Sequence, residues 1–562
     1  MKLQSFSHST STLLIIIIIS TVINISNGAR IIFLLPIAST SHKIVFDPLI
    51  KALALRDHDV TVVSPISSQN LPSSVKEIHP ATVEELGYGL TSSGKDLLET
   101  RRLLKSSYFP FFQWNVSLVE NGCHKLYKDV QIKYLLKGMK KFDLAIVSGL
   151  QNECALGLVD FFRIPHMYLT PGAAPNYVSS RFGHYFPTSY VPSPYTDFDR
   201  RMTFLERCTN FIVETILLVF ARFYLYPQYE DIYRGYLGED TPSIEEIENT
   251  VGVILINTNF IMSHPRPLPP NLIEVGGMHC RPPRPLPTEL DKFLSEAEEG
   301  VIYFSFGSAV LAKDVPKHVI DIFLNVFADL DQRIIWKWDD PNVKRPYNVM
   351  VMPWLPQQDI LGHKNLKLFI STGGLLSTQE AIYHGVPLLG VPLSGEHDLN
   401  MRQAERAGFA RTWEILDMNQ TQLEEIIDRM LIEPQYKARV KHLSKMYREL
   451  PEIALDKAIF WVNHVIINKG APQLRSSAKD LNYFQYHSFD VIAVLLSLLL
   501  LTIYLLYYVI STLIRCCKSS KSSSVDVDVR KASCSSSSLY QGNNGSYFAS
   551  ESESVSSDKK CD

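Results

Sequence analysis

Residues 349–408 constrain the fold of this chain more than any other stretch, because they repeat one pattern of apolar run, turn and helix-length segment. The apolar runs at 367–370 and 387–391 have the length of buried strands. Repeated β-loop-α units of this kind predict a parallel sheet covered by helices. Each loop then opens at the carboxyl end of a strand, which is the edge where open α/β sheets bind ligands.

The loop at 371–374 carries groups suited to binding a diphosphate. Gly373 and Gly374 let the backbone approach a ligand closely, and the N–H groups that open the following helix are able to hold a phosphate. Glu380 lies about two turns into that helix. From there its carboxylate can accept hydrogen bonds from both hydroxyls of a ribose.

A second group of side chains, just before this loop, suits a flat nucleobase. Trp354 follows a proline at a strand end and offers a ring on which a base can stack. The amides of Gln357 and Gln358 offer hydrogen bonds to the edge of that base. A glycine pair is also typical of an ordinary turn, and a tryptophan beside proline is also typical of a core. Only the combination predicts a nucleotide-diphosphate site.

These residues also carry a family resemblance. The motif GGLLSTQEAIYHGVP at 373–387 closely resembles the signature of the animal UDP-glycosyltransferases, a UDP-glucuronosyltransferase-like family, and looks most like its insect members. The resemblance implies an α/β protein of the GT-B fold, with two Rossmann-like domains whose parallel sheets face a cleft. The implied parts are a signal peptide at 1–29, an N-terminal acceptor-binding domain at 30–278, a linker at 279–288, a C-terminal UDP-sugar-binding domain at 289–480, a transmembrane helix at 491–514 and a disordered cytosolic tail at 515–562.

The resemblance also implies which residues bind the donor. They are Ser308, Trp354, Gln357, Thr372, Gly373, Gly374, Ser377, Glu380, Glu396 and His397. The chain departs from the family pattern in two places among them. Thr372 stands where the family usually has a histidine that donates to the diphosphate, and Glu396-His397 stands where it usually has an Asp-Gln pair that holds sugar hydroxyls.

A further β-loop-α-β pattern starts at Arg30 and lacks the GxGxxG motif of dinucleotide folds. His42 lies where its loop enters the helix, on the ligand side of the predicted sheet. A lone histidine in a loop is also typical of a surface or capping residue. The match of ASTSHKIVFDPLIKALALRDHDVTVVSP to the family implies that His42 is the catalytic base, which removes the proton from the acceptor hydroxyl.

A catalytic histidine works better with a carboxylate on its other ring nitrogen, since the carboxylate fixes the tautomer and stabilises the imidazolium. In FDLAIVSGLQNECALGLVDFF, Ser148 stands where the family usually has that aspartate. Glu153, five positions later, matches an acidic residue of insect-type members, and we predict it as a substitute partner. The alternative is an exposed glutamate that merely starts a helix.

The implied reaction is inverting, metal-independent transfer of a sugar from a UDP-sugar to the hydroxyl of a small lipophilic acceptor, as in detoxification. Glucose is favoured over glucuronic acid because of the insect likeness. UDP-sugar is a co-substrate, and no cofactor or metal is expected. The alternative is a catalytically weak or inactive relative that binds a UDP-sugar or a lipophile. The departures at Ser148, Thr372, Glu396 and His397 favour that alternative, whereas retention of His42, Trp354, Gln357 and Glu380 favours the enzyme.

Composition limits the partners and the cysteine chemistry. At 562 residues the chain is long enough for two domains, and a formal net charge of −3 with dispersed charges gives no sign of nucleic-acid binding. Four of the eight cysteines lie in the globular part without CxxC spacing, and we expect buried thiols there.

Aromatic residues are concentrated in the stretch 171–240, where they can line an acceptor pocket, lie on a membrane surface or form core.

Targeting signals place the protein in a membrane. Residues 13–25 form a charge-free secretory signal, and 491–514 form an apolar run long enough to span a bilayer. Positive residues directly after that run predict a cytosolic C-terminus and lumenal catalytic domains, as in a single-pass type I protein. The final Lys559 and Lys560 predict retrieval to the endoplasmic reticulum by coat proteins, and a homo-oligomer is left open. Sequons at Asn115 and Asn419 predict glycans, while that at Asn544 faces the cytosol.

Overall fold

The computed structural model describes residues 28–68, 70–87, 95–106, 109–138, 140–261, 263, 265–308 and 310–532. Most of the predicted signal peptide, the sequon at Asn544 and the predicted retrieval signal at Lys559 and Lys560 lie outside the described residues. The chain forms two compact units, of which the first ends at Asp480 and the second begins at Leu481.

The first half of the chain builds a parallel sheet. Its strands are β1 (Arg30–Leu34), β2 (Asp59–Val63), β3 (Lys76–Ile78), β4 (Leu144–Ser148), β5 (His166–Thr170), β6 (Ile254–Ile256) and β7 (Leu272–Glu274). They pair in the order β3-β2-β1-β4-β5-β6-β7, and every pair is parallel. The central strands are continuous apolar runs because helices cover both faces of such a sheet.

The second half builds another parallel sheet. Its strands are β8 (Val301–Ser305), β9 (Arg333–Lys337), β10 (Val349–Met352), β11 (Leu366–Ser371), β12 (Leu388–Gly390) and β13 (Ala410–Thr412). The order is β10-β9-β8-β11-β12-β13, again with parallel pairs only. The strands predicted from the apolar runs at 367–370 and 387–391 are β11 and β12.

Helices of the first half fill the connections between its strands. They are α1 (Thr40–Ala54), α2 (Val83–Leu86), α3 (Leu97–Ser106), α4 (Phe109–Lys128), α5 (Val130–Lys137), α6 (Leu156–Phe162), α7 (Asn176–Ser179), α8 (Phe204–Phe220), α9 (Tyr226–Leu237) and α10 (Ile244–Glu248). A π-helical turn at Ala221–Leu225 joins α8 to α9 without a break.

Helices of the second half follow the same plan until the last one. They are α11 (Thr288–Ser295), α12 (Lys317–Ala328), α13 (Gln357–Leu361), α14 (Leu375–His384), α15 (Gly395–Ala407), α16 (Gln420–Ile432), α17 (Pro434–Arg448) and α18 (Ala454–Ile467). The last, α18, returns to the first sheet, where Ala458 and Val462 join the hydrophobic cluster that includes β1 and α1. The chain thus crosses between the two halves twice.

Each sheet has a point where the strand order reverses direction. In the first sheet this point lies between β1 and β4, and in the second between β8 and β11. Loops that leave neighbouring strands there diverge to opposite faces and open a crevice at the carboxyl edge, which is where ligands bind in open α/β sheets. His42 follows β1, Ser148 ends β4, and the loop at 371–374 follows β11.

The prediction of unpaired thiols in the globular part is wrong for one pair of cysteines. Cys123 in α4 and Cys154 in the turn Glu153–Ala155 form a disulfide with a Cα–Cα distance of 6.0 Å. The packing of α4 against that turn brings the two cysteines together. No spacing motif in the sequence predicts this pair. Cys208 and Cys280 are free, as predicted.

The second unit contains α19 (Tyr483–Tyr486) and α20 (Phe489–Ala532). Within α20, Phe489–Lys518 is long and apolar enough to cross a membrane, and so is the joined helix Phe204–Leu237 of the first unit. The described part of α20 continues to Ala532, and the predicted disorder of the tail at 515–562 stays a prediction. Extending an existing helix costs less than starting one, which explains why the polar residues after the apolar run remain helical.

Candidate active site

The glycine turn after β11 opens the N-terminus of α14. Gly373 has φ +82°, a left-handed conformation that favours glycine, and a Cβ there would lie 2.5 Å from Cγ of Met401. Gly374 forms the cap of the helix, and Thr372 is buried beside it. Free backbone N–H groups at such a helix start attract a phosphate.

The predicted ribose ligand Glu380 is buried and already placed by neighbouring side chains. Gln357 Nε2 donates to Glu380 Oε2 at 2.6 Å and to Ser377 Oγ at 3.1 Å, while Gln357 Oε1 accepts from Tyr303 at 3.2 Å. Burial raises the pKa of Glu380 to about 7. His279 Nε2 lies 3.6 Å from Glu380 Oε1, and no sequence motif indicates this neighbour.

The predicted base platform is open to solvent. Trp354, which follows β10, is 58% exposed, and Lys337 Nζ lies 5.5 Å from the centre of its ring. The same ammonium donates to Gly307 O at 2.6 Å, which fixes the turn that carries the exposed Ser308. Gln358, by contrast, donates to His279 O and accepts from Arg281 N, so its amide is used to hold the linker.

Glu396 and His397 open α15 next to the glycine turn. His397 Nδ1 accepts from Leu393 N at 3.3 Å, which leaves the proton of a neutral ring on Nε2. A Cβ on Gly374 would lie 3.8 Å from this Nε2. Burial, together with the charge of Arg101, lowers the pKa of His397 to about 4. Glu396 is exposed, and desolvation by the surrounding protein raises the pKa of its carboxyl.

His42 occupies the first turn of α1, at the carboxyl edge of the first sheet. The hydroxyl of Ser39 caps this helix by accepting from His42 N at 3.2 Å. Asn152 fixes the preceding loop, since it donates to Ile37 O at 2.9 Å and accepts from Ile37 N at 2.8 Å. Burial lowers the pKa of His42 to about 4, so the imidazole is neutral and ready to accept a proton at pH 7.

The two residues considered as partners of the base are both buried. Ser148 is buried at the end of β4, the strand next to β1. Glu153 is 2% exposed, so the alternative of an exposed helix-start glutamate is wrong. Its carboxylate accepts from buried Arg181 at 3.2 Å, and Arg181 also pairs with Glu248 at 2.8 Å. The role of Glu153 beside His42 stays a prediction.

An open pocket adjoins Glu153, and aromatic side chains form much of its wall. They are Tyr177, Tyr195, Phe220, Tyr226 and Tyr229. Burial raises the pKa of Tyr195 to about 12, and nearby Glu396 acts in the same direction. Part of the aromatic stretch predicted from the sequence therefore lines a pocket, while Phe182 and Phe186 belong to the core.

The two halves meet along α14. Gln379 Nε2 donates to Asn257 O, just after β6, at 3.2 Å. A Cβ on Gly172, just after β5, would lie 3.6 Å from Cδ2 of Leu375. The carboxyl edge of the first sheet, with His42 on it, therefore faces the helix that the glycine turn opens.

The predicted glycan sites differ in their surroundings. Asn419 is exposed at the N-cap of α16, where its Oδ1 accepts from Gln422 N at 3.0 Å. Asn115 lies within α4.

Across the part of the chain that the structure describes, no three His, Cys, Asp or Glu side chains are grouped to hold a metal ion.

Comparison with known proteins agrees with this geometry. The family model described as "UDP-glucoronosyl and UDP-glucosyl transferase" matches residues 31–523. UDP-glucosyltransferase 2 of Dactylopius coccus is 32% identical over 506 residues, covering 89% of this chain and 96% of the relative. UDP-glucuronosyltransferase 2B7 of Homo sapiens is 32% identical over 476 residues, covering 82% and 88%.

Solved structures share the fold at low sequence identity. A UDP-glucosyltransferase from Polygonum tinctorium, capable of glucosylating indoxyl, aligns with a TM-score of 0.53 and 16% identity, covering 79% of this chain and 99% of that one. The glycosyltransferase VinC in complex with DTDP aligns with a TM-score of 0.51 and 19% identity, covering 78% and 100%. These similarities confirm the predicted GT-B fold.

Proposed function

We propose, from the premise that this chain belongs to the UDP-glycosyltransferase family, that it transfers glucose with inversion to the hydroxyl of a small lipophilic acceptor. Membership makes the protein a glycosyltransferase that uses a UDP-sugar. The choice of sugar, the acceptor class and the stereochemistry are the proposed parts.

The observation that carries the choice of sugar is the charge at the start of α15. The carboxyl of Glu396 is exposed at this helix start, and His397 is neutral at pH 7 because its pKa is lowered to about 4. The cation behind them, Arg101, is buried between two carboxylates. A glucuronate carboxylate would meet repulsion from Glu396, whereas the hydroxyls of glucose can donate to it.

The acceptor class follows from the pocket beside Glu153. Aromatic rings dominate its wall, and their phenols stay protonated because burial raises the pKa of Tyr177 and Tyr195. Such a pocket favours flat, apolar molecules with few polar groups. A phenol or a similar lipophilic alcohol fits this description.

In the proposed mechanism, His42 takes the proton of the acceptor hydroxyl while its oxygen attacks the anomeric carbon in line. The bond from that carbon to the diphosphate breaks, and UDP leaves from the opposite face. Backbone N–H groups at the start of α14 and at the turn Gly307–Ser308 stabilise the charge on the diphosphate, so the mechanism needs no metal. Ser148 can orient the imidazole but cannot balance its positive charge, which slows the proton transfer.

The first test measures UDP release by the full-length protein in detergent, with UDP-glucose, UDP-glucuronic acid and a panel of phenols. We expect acceptor-dependent release that is faster with UDP-glucose. His42→Ala should lower it roughly 10²–10⁴-fold, as expected for loss of a general base, with unchanged UDP affinity. A preference for UDP-glucuronic acid would overturn the proposed donor, and an active His42→Ala would overturn the base.

For the cellular setting, we propose a single-pass type I protein of the endoplasmic reticulum with its catalytic unit in the lumen and glycans on Asn115 and Asn419. The Cys123–Cys154 disulfide supports an oxidising compartment, and the apolar segment Phe489–Lys518 supports a membrane anchor. Digestion with an endoglycosidase specific for high-mannose glycans should shift the mass of the protein. Absence of that shift, in a protein recovered from membranes, would contradict the lumenal orientation.

A further inference from the structure

A buried ion cluster joins the two halves of the catalytic unit. Arg101 is 1% exposed and lies between two carboxylates of the second half. Its Nη1 and Nη2 contact Asp398 Oδ2 and Oδ1 at 2.6 and 2.7 Å, while Nε and Nη2 contact Glu414 Oε1 and Oε2 at 3.2 and 2.8 Å. Two such paired contacts fix both the position and the plane of the guanidinium.

The helix that supplies Arg101 belongs to the first half by connectivity. It is α3, which follows β3 and precedes β4 in the chain. Leu97 and Leu98 of α3 nevertheless join the hydrophobic cluster built around β8 and β11. Burial of these apolar side chains therefore holds α3 against the second half. The position of Arg101 on that half does not depend on its ion pairs.

One arm of the cluster, the ion pair of Arg101 with Asp398, holds α15, whose first turns contact the glycine turn. Asn400 Nδ2 donates to Gly373 O at 3.1 Å. Met401 packs so closely that a Cβ at Gly373 or Gly390 would lie 2.5 Å from its Cγ. A shift of α15 would therefore move the backbone that receives the diphosphate, along with Glu396 and His397.

The other arm, the ion pair of Arg101 with Glu414, leads away from the glycine turn. Glu414 follows β13 and accepts from Leu416 N at 3.3 Å, at the far end of the second sheet from β10. Lys105 of α3 also contacts Glu414, at 2.6 Å, but its side chain is 55% exposed. Further along α15, Arg402 and Arg406 pair with Asp197 and Asp199 of the first half in more exposed positions.

We propose that Arg101 is a positioning residue for donor binding, which holds the start of α15 through Asp398 and so sets the glycine turn, Glu396 and His397 around the UDP-sugar. The proposal rests on the proposed function, because it assigns that site to the donor. It makes α3, an element of the acceptor half, part of what determines donor affinity. No covalent step involves Arg101.

The test compares two isosteric changes at the two arms in the full-length protein. Asp398→Asn weakens the arm to α15, and Glu414→Gln weakens the arm to β13. We expect Asp398→Asn to raise the Kd of UDP and the KM of UDP-sugar about tenfold, with kcat and the KM of the acceptor nearly unchanged. Both variants should lower the melting temperature to a similar extent. Glu414→Gln, however, should leave the Kd of UDP within about twofold of that of the unchanged protein.

Substitutions at α3 complete the design. Arg101→Met should weaken UDP binding at least as much as Asp398→Asn, and Arg101→Lys should recover part of it, since one ammonium cannot reproduce both paired contacts. Lys105→Met, on the exposed side of the same helix, should bind UDP like the unchanged protein.

Three outcomes overturn the proposal. If Asp398→Asn lowers the melting temperature but leaves the Kd of UDP unchanged, or if both arms affect that Kd equally, Arg101 only joins the two halves. Direct UDP binding separates this result from failure of the proposed function. Weaker binding in Asp398→Asn without any transfer by the unchanged protein would support the positioning role while overturning the transfer. If the unchanged protein does not bind UDP, both fall.

Discussion

In the proposed mechanism His42 is the general base, and burial lowers its pKa to about 4. The ring is therefore neutral over the range in which enzymes of this kind work, which is the state that a general base needs. A negative charge beside the ring would stabilise the imidazolium that forms. Ser148, at the end of the neighbouring strand β4, occupies the place where the family resemblance puts that charge.

Ser148→Asp tests this interpretation. A carboxylate at this position should raise the pKa of His42 and stabilise the imidazolium, which should increase kcat roughly tenfold or more. In the unchanged protein the rate should be level above about pH 6 and fall as the pH drops through about 4, where the imidazole becomes protonated. In the variant this fall should occur at higher pH.

The measurement is kcat as a function of pH, with Ser148→Asn as the uncharged control of nearly equal size. If both variants behave alike, charge at position 148 has no part in the reaction.

At the scale of elements, the continuous helix formed by α8 and α9 has one side in contact with a pocket and the other side exposed. Its inner side, with Leu217, Phe220 and Leu225, lines the pocket beside Glu153. Its outer side exposes large apolar residues, among them Phe204, Phe211, Ile212, Ile216, Val219 and Phe223. The sequence left pocket, membrane surface and core open for this stretch, and the structure assigns different residues of one helix to different roles.

We expect the outer side of α8 to bind a lipid surface. A protein ending at Asp480 should bind vesicles, and replacing Phe211, Ile216 and Phe223 with serine should weaken that binding by roughly 1.5–3 kcal/mol for each side chain that inserts fully. Vesicle flotation measures this. Replacing exposed Tyr134 and Tyr347 with serine, at positions outside the helix, provides the control, and equal loss in both would contradict the assignment.

The disulfide between α4 and the turn after β4 is the second element-scale feature. Cys123→Ser should lower the free energy of unfolding of the catalytic unit by about 3 kcal/mol, because the cross-link restricts the unfolded chain. Denaturant unfolding of the protein ending at Asp480 measures the effect. Cys208→Ser, which removes a free thiol, should change little, and equal destabilisation by both variants would contradict a native cross-link.

At the scale of the whole molecule, α18 completes the first half although it comes last among the helices of the first unit. Ala458, Ile459, Val462 and Val465 are buried in the cluster around β1 and α1. Cutting the chain after Asp480 should preserve the fold and UDP affinity, whereas cutting after Leu450 should expose that cluster and cause aggregation. Size-exclusion chromatography with UDP titration measures both. A monomeric, UDP-binding product of the shorter cut would contradict this role.

Local pattern and motif chemistry were sufficient for the repeating β-loop-α architecture, the glycine turn at the start of α14 and the apolar run within α20, because each depends on residues close together in the chain. The tertiary structure alone decided the pairing of Cys123 with Cys154, the ion pair of Glu153 with Arg181 and the contact of Arg101 with Asp398. That last pair is separated by 297 positions. Periodicity carries no information about which distant surfaces meet, so such contacts depend on how the two halves pack.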